Sequence, residues 1–291
     1  MTSLRKKMEA DLRLRNLAPG TRDHYIRSVA RFAQHFGRSP DLLGAPEVRD
    51  FLLHLADLGR AAATRVVYHA ALRFLYTQTL GRPEVMATVP RPRVGPQKLR
   101  NPLVKQEVEA LFEVAIWTPF TYTLLATLLA TGLRISEVCA LRMEDIDATA
   151  GLLHVRRGKG AKPRSVQLGD THLHLLRRYW KIESPGRTWL FPAQRMSAPG
   201  RIDRTNRWAD HPVATDTIRA RLHAITRSAG VKRTVTPHDF RRTYATWLLE
   251  DGVDLRVVQV LLGHASPETT CRYTQVRPEL IRRTPSPLDM I

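Results

Sequence analysis

The sequence predicts a mainly α-helical protein with a small β-sheet, built as an N-terminal helical bundle followed by a C-terminal mixed α+β domain. Three observations lead there. Through the first 80 residues, apolar side chains recur at three- and four-residue steps, the period of amphipathic helices. The stretch VPRPRVGPQKLRNP (89–102) then breaks the pattern with four prolines, one glycine and no acidic residue. Beyond it, helical periodicity is interrupted by two short alternating segments around a turn rich in glycine and lysine, the signature of a β-hairpin. A length of 291 residues suits two ordinary domains, and 43% hydrophobic with 25% charged residues marks a globular chain.

Four helices are expected in the bundle. The first covers about 3–16. Ala18-Pro19-Gly20 breaks it, and Thr21 is expected to cap the second, whose inward stripe is Tyr25, Val29, Phe32 and Phe36. Pro46 opens the third, with Val48, Phe51, Leu52 and Leu55 inward. The fourth runs from about Ala62 to Thr79, with Val66, Ala70, Phe74 and either Leu72 or Leu75 facing the core. The proline-rich stretch then reads as an extended linker.

In the second part, Val104, Val108, Leu111 and Phe112 form one helix face, and 121–131 is a buried helix closed by Gly132 at its C′ position. A further helix starts near Ile135. Leu152–Arg156 and Arg164–Leu168 are the hairpin strands, and helices follow at about 170–180 and 214–229. Thr236-Pro237-His238-Asp239 is a helix start with an N-cap, a proline at N1 and an acidic N3. Asp254 and Ser266-Pro267 are two further caps, with Gly263 closing the helix between them.

The net charge of +19 favours a polyanionic partner, most commonly nucleic acid, over a merely basic surface. The charge is densest at residues 91–105, where Arg91, Arg93, Lys98, Arg100 and Lys105 meet no acidic residue. This stretch is either a solvated spacer or a strap along a phosphate backbone through Arg91, Arg93 and Lys98. Two cysteines, Cys139 and Cys271, are too few for a disulfide scaffold or a zinc finger and fit a reducing interior. The basic N-terminus lacks the apolar core of a secretory signal, and Tyr122–Leu133 falls short of the ~20 residues that span a bilayer. No membrane association is expected.

Six positions then carry chemistry: Arg134, Lys159, His238, Arg241, His264 and Tyr273. Attack on a phosphodiester builds charge on non-bridging oxygens, and also needs an in-line nucleophile and an acid for the leaving oxygen. No carboxylate pair or His/Cys cluster at metal-ligand spacing is present in the sequence, so guanidinium forks are the expected source of positive charge. Arg134 follows a helix stop, with Glu137 three residues on to steady it. His238 and Arg241 share one helix face, the histidine in the first turn where a phosphate also meets the helix N-terminus. Arg242 adds to that basic face as a DNA contact. Lys159 at the hairpin tip can protonate a leaving oxygen, with Lys162 a rival or a DNA contact. His264 follows a helix stop and can donate to phosphate. Tyr273 is the candidate nucleophile; its phenol, with a pKa near 10, needs neighbouring cations or a base. Tyr244, the other choice, reads as core. Taken singly, each of these residues also has a plain structural reading.

Together, the order and spacing resemble the tyrosine recombinases, the integrase family of Xer-type, phage, integron and transposon enzymes. TGLRISE carries Arg134, GKG carries Lys159, HDFR carries His238 and Arg241, LLGH carries His264, and Tyr273 follows nine residues later. Phe240 and Arg242 depart from the family's commoner leucine and histidine, outside the six positions. The resemblance implies a SAM-like core-binding domain at 1–88, a basic linker at 89–102 and a catalytic domain with a C-terminal tail at 103–291. It implies that Tyr273 attacks DNA to give a 3′-phosphotyrosyl link and a free 5′ hydroxyl, and that a partner strand's hydroxyl reverses the step. Neither metal, ATP nor another cofactor is implied. The expected partners are a double-stranded recombination site and three further copies of the chain, exchanging strands through a Holliday junction, with a second recombinase or accessory factor as a further candidate. The tail from Arg277 to Ile291 is expected to dock on a neighbour. Integration, excision or resolution in a bacterial-type cytoplasm, on the nucleoid, is the expected setting. Two competing readings are a type IB topoisomerase and a non-enzymatic DNA-binding protein.

Overall fold

In the computed structural model, residues 2–95, 100–156, 163–198, 201–202 and 207–263 are described, and internal contacts divide the chain into Met1–Lys98 and Leu99–Ile291. No described helix is long and apolar enough to cross a membrane.

The first unit holds α1 (Ser3–Leu14), α2 (Pro19–Phe36), α3 (Ala45–Asp57), α4 (Ala62–Phe74) and the short α5 (Glu84–Ala87). Thr2 caps α1 by accepting from the Arg5 amide. Pro19 occupies the first turn of α2 behind Ala18, so Thr21 lies inside the helix and is not its cap. Gly37 ends α2 in the left-handed conformation at φ 62°. Glu47 closes the start of α3 by accepting from the Gly44 amide at 2.8 Å. The core gathers Met8, Leu12, Val29, Phe32, Val48, Phe51, Leu55, Leu72 and Tyr76. Phe51 meets Phe32 and Tyr68 edge to face at 5.3 and 5.6 Å.

The fourth helix differs from expectation. After Phe74 it widens into a π-helical stretch, Leu75–Thr79, where the Leu80 amide reaches the Leu75 carbonyl. Its buried face is Tyr68, His69, Ala71, Leu72, Leu75 and Tyr76, while Val66, Ala70 and Phe74 are half-buried. Tyr68 and Tyr76 can occupy this face because their hydroxyls find partners at its edge, Arg31 Nη1 and the Pro40 carbonyl.

The second unit holds α6 (Lys105–Ala115), α7 (Pro119–Thr131), α8 (Ile135–Cys139), β1 (Ile146–Asp147), β2 (Leu152–Val155), β3 (Arg164–Gln167) and α9 (Asp170–Glu183). Then come β4 (Pro192–Gln194), β5 (Met196–Ala198), β6 (Arg201–Ile202), β7 (Trp208–Pro212), α10 (Thr215–Ser228), α11 (Pro237–Glu250) and α12 (Leu255–Leu262). Val104 is exposed just before α6, its amide held by Glu107, so the apolar face starts at Val108. The expected hairpin is β2–β3, antiparallel with Leu152 opposite Gln167 and Val155 opposite Arg164; β1 adds a third strand. The pairs β4–β7 and β5–β6 were not anticipated.

Helix α7 is buried nearly all round, including Phe120, Leu124, Leu125, Leu128 and Thr131, and packs against α6, α8, α9 and α11. A helix apolar on every side belongs at the centre of a core. It ends at Gly132, at φ 58°.

Candidate active site

The site is built where the C-terminal ends of α7 and α12 meet cations from three other elements. A helix leaves its last carbonyls without intrahelical donors, and its C-terminus carries partial negative charge, so guanidinium groups fit there.

Leu133, fully buried, pins the turn between α7 and α8, which sets Arg134 as the residue before α8. Glu137, in the first turn of α8, reaches back to accept from the Arg134 amide at 2.8 Å and from Arg134 Nη1 at 2.9 Å. Arg164 of β3 lays its fork on the same carboxylate, Nη1 to Oε1 at 3.0 Å and Nη2 to Oε2 at 2.8 Å. Burial alone would raise the Glu137 pKa. Hydrogen bonds from the Arg164 side chain and the Arg134 backbone, with the Arg164 charge, outweigh it and hold the carboxyl below its ordinary value. Glu137 is therefore an anion that fixes two cations.

Arg241, from α11, is 2% exposed and donates from Nη1 to the Gly132 carbonyl at 2.7 Å and from Nη2 to the Leu262 carbonyl at 2.5 Å. It is not part of a solvated basic face: the carbonyl ends of α7 and α12 draw it inward. Arg134 Nη2 lies 3.4 Å from the Gly263 carbonyl, and its side chain stays 25% exposed. Arg134 thus keeps an open side while its other edge is anchored.

His238 sits in the first turn of α11, whose start is held by Asp239 accepting from the Thr236 amide at 2.8 Å and hydroxyl at 2.6 Å. The ring is exposed at the surface, yet protein crowds it enough that desolvation, then the charges of Arg242, Arg241 and Arg134, lower its pKa. An imidazole neutral at pH 7 beside three guanidinium groups can still donate one N–H to an anion. Arg242 is half-buried, with Nη1 3.5 Å from Asp239, the same carboxylate that starts the helix. Arg91 and Arg93 are exposed.

Tyr244 packs its ring over Gly132, where an added Cβ would lie 2.4 Å from Cδ1. Burial raises its pKa, so the phenol is a poor nucleophile there. Lys98, Lys159, Lys162, His264 and Tyr273, with the Ser266-Pro267 cap, lie outside the described residues. The base of the hairpin is described: Arg156 pairs with the buried Asp145, and His154 Nδ1 lies 2.9 Å from the Ser165 hydroxyl. Arg164 was missed as a site residue. Alternation puts it on the same strand face as the buried Val166, and an arginine on an inward face calls for a carboxylate.

Residues 101–279 match the phage integrase family and residues 4–84 match the phage integrase N-terminal SAM-like domain. The chain is 37% identical over 296 residues to the y4qK protein of Sinorhizobium fredii, covering all of this chain and 90% of that one. It is 33% identical to the tyrosine recombinase XerA of Thermococcus kodakarensis, over 96% of this chain and 92% of that protein. Its fold matches the crystal structure of a lambda integrase dimer bound to a COC′ core site, with a TM-score of 0.73, 18% identity, and coverage of 96% of both chains. It also matches a lambda integrase tetramer bound to a Holliday junction, with a TM-score of 0.71 at 19% identity over 93% of this chain and 76% of that one. The chain belongs to the phage integrase family.

Proposed function

We infer that the protein is a site-specific tyrosine recombinase, cutting and rejoining double-stranded DNA through a 3′-phosphotyrosyl intermediate in integration, excision or resolution. The observation that carries this reading is the convergence of Arg134 and Arg241 beside His238, each anchored by a buried carboxylate or a helix-end carbonyl. Cations held in place before substrate arrives cost little reorganisation when charge develops on a phosphate.

In this reading Arg134, Arg241, His238 and His264 grip the non-bridging oxygens, Glu137 holds Arg134, and Tyr273 attacks. Lys159 protonates the leaving 5′ oxygen, which becomes the hydroxyl of the cut strand. The ester formed on Tyr273 keeps the bond energy, so a partner strand's 5′ hydroxyl can reverse the step and release the tyrosine. Residues 1–88 serve as the core-binding domain, 89–102 as a basic strap and 103–291 as the catalytic domain. Four copies act together on two DNA sites, as in the lambda integrase tetramer on a Holliday junction. The cytoplasm, on the nucleoid, is the proposed setting.

The test is a set of nicked duplexes cut from the DNA flanking the gene, on which a cleaved strand cannot be resealed. Wild-type protein is expected to become covalently attached in denaturing gels, and Tyr273→Phe is expected to leave no adduct. Attachment that survives the substitution would overturn the tyrosine assignment.

A further inference from the structure

The last three carbonyls around the end of α12 are each held by an arginine from a different element. Leu261 accepts from Arg164 Nε at 2.8 Å, Leu262 from Arg241 Nη2, and Gly263 from Arg134 Nη2. Helix α12 has only eight residues, so its own propensity fixes its end weakly. Arg164 differs from the other two. All three of its nitrogens donate inside the protein, two of them to buried Glu137, and its side chain is 8% exposed. It therefore holds protein parts together, with its guanidinium turned inward.

The packing around it is close. A Cβ on Gly263 would lie 3.1 Å from Arg164 Cδ and Nη1, and Gly263 itself has φ 63°. The guanidinium is thus seated against a residue that must be glycine both for conformation and for space. In sequence, Gly263 is followed directly by His264, and Tyr273 lies ten residues beyond Gly263.

We propose that Arg164 is a positioning residue for strand cleavage, tying the end of α12, from which the chain runs on to His264 and Tyr273, to the Glu137 carboxylate that also orients Arg134. This rests on the recombinase reading. One buried carboxylate then sets two things at once: the cation that grips the phosphate and the origin of the segment that delivers the nucleophile. Lysine cannot replace arginine here, because one ammonium cannot fork onto Glu137 while also reaching the Leu261 carbonyl.

The experiment uses the full chain, with Arg164→Lys, Gly263→Ala and the double variant assayed below their melting temperatures. Single-turnover adduct formation is measured on the nicked duplex and on the same duplex with a 5′-bridging phosphorothiolate, whose sulfur leaves without protonation. Arg164→Lys is expected to cleave about tenfold to a hundredfold more slowly, since small misplacements of reacting groups cost on that order. Its DNA affinity should be unchanged, and the loss should persist on the sulfur substrate. Gly263→Ala should show a comparable loss, and the double variant should be no slower than the slower single one, because both act through one contact. Cleavage by Arg164→Lys at the wild-type rate would overturn the proposal. So would restoration by the sulfur substrate, which would make Arg164 act through the leaving-group acid, or a loss confined to DNA affinity. Wild-type protein that forms no adduct would instead sink the recombinase reading, and this inference with it.

Discussion

Gly132→Ala tests how the two central helices of the site are locked. At φ 58°, a residue with a Cβ costs about 1–2 kcal/mol in backbone strain. The added methyl would also stand 2.4 Å from Tyr244 Cδ1, 2.9 Å from Cγ and 3.0 Å from Cε1. The ring must retreat, and overpacking of this kind costs about 1–3 kcal/mol. The sum is about 2–5 kcal/mol, or a fall of about 5–15 °C in melting temperature for a unit of this size. The control is Gly230→Ala, where φ is 67° but nothing lies within 4 Å of the new Cβ. It should show the backbone cost alone. Calorimetric unfolding of both variants separates the two contributions. If Gly132→Ala is no more destabilising than Gly230→Ala, the contact between α7 and α11 does not lock the site as described. Because the Gly132 carbonyl also accepts from Arg241 at 2.7 Å, cleavage by Gly132→Ala should fall even at temperatures where it stays folded.

Two further outcomes are expected. Glu137→Gln removes the charge from a carboxylate that accepts from Arg134 and Arg164, and breaking a buried pair of this kind costs about 3–5 kcal/mol. The folded pKa of Glu137 lies below its reference value of 4.5, so its stabilisation is present above that value and is lost as pH falls through the depressed one. The Gln variant should therefore lose less stability on acidification than the wild type, and an unaltered acid limb in urea titrations would refute this. Replacing Arg91, Arg93 and Lys98 together by alanine should weaken DNA binding on every sequence and reduce the salt slope by about three, read by binding titrations across salt. An unchanged slope would leave 89–102 a plain spacer.

Much of the site was legible because its logic is local. Arg134 and Glu137 are three residues apart, the start of α11 is written in Thr236 to Asp239, and Gly132 and Gly263 mark where α7 and α12 stop. Each follows from bonds that close within one turn of chain. The errors have a different origin. Sequence favours Thr21 as a cap, since it does not say which of two nearby residues begins a helix, and packing starts α2 behind Ala18. The fourth helix presents Tyr68 and Tyr76 inward, in place of Val66 and Ala70, because partners at Arg31 and Pro40 are 37 and 36 residues away.

Arg164 and Arg241 show the limit most clearly. From sequence, one was a strand residue and the other a phosphate-binding candidate sharing a helix face with His238. Their bonds run to Leu261 and Gly132, 97 and 109 residues distant along the chain. The sequence by itself determined which residue types are available to bind a phosphate and where helices begin and end, since capping and periodicity are short-range. Only the tertiary structure decided which carbonyls and which carboxylate anchor each guanidinium, because a buried polar group takes whatever partner packing brings to it.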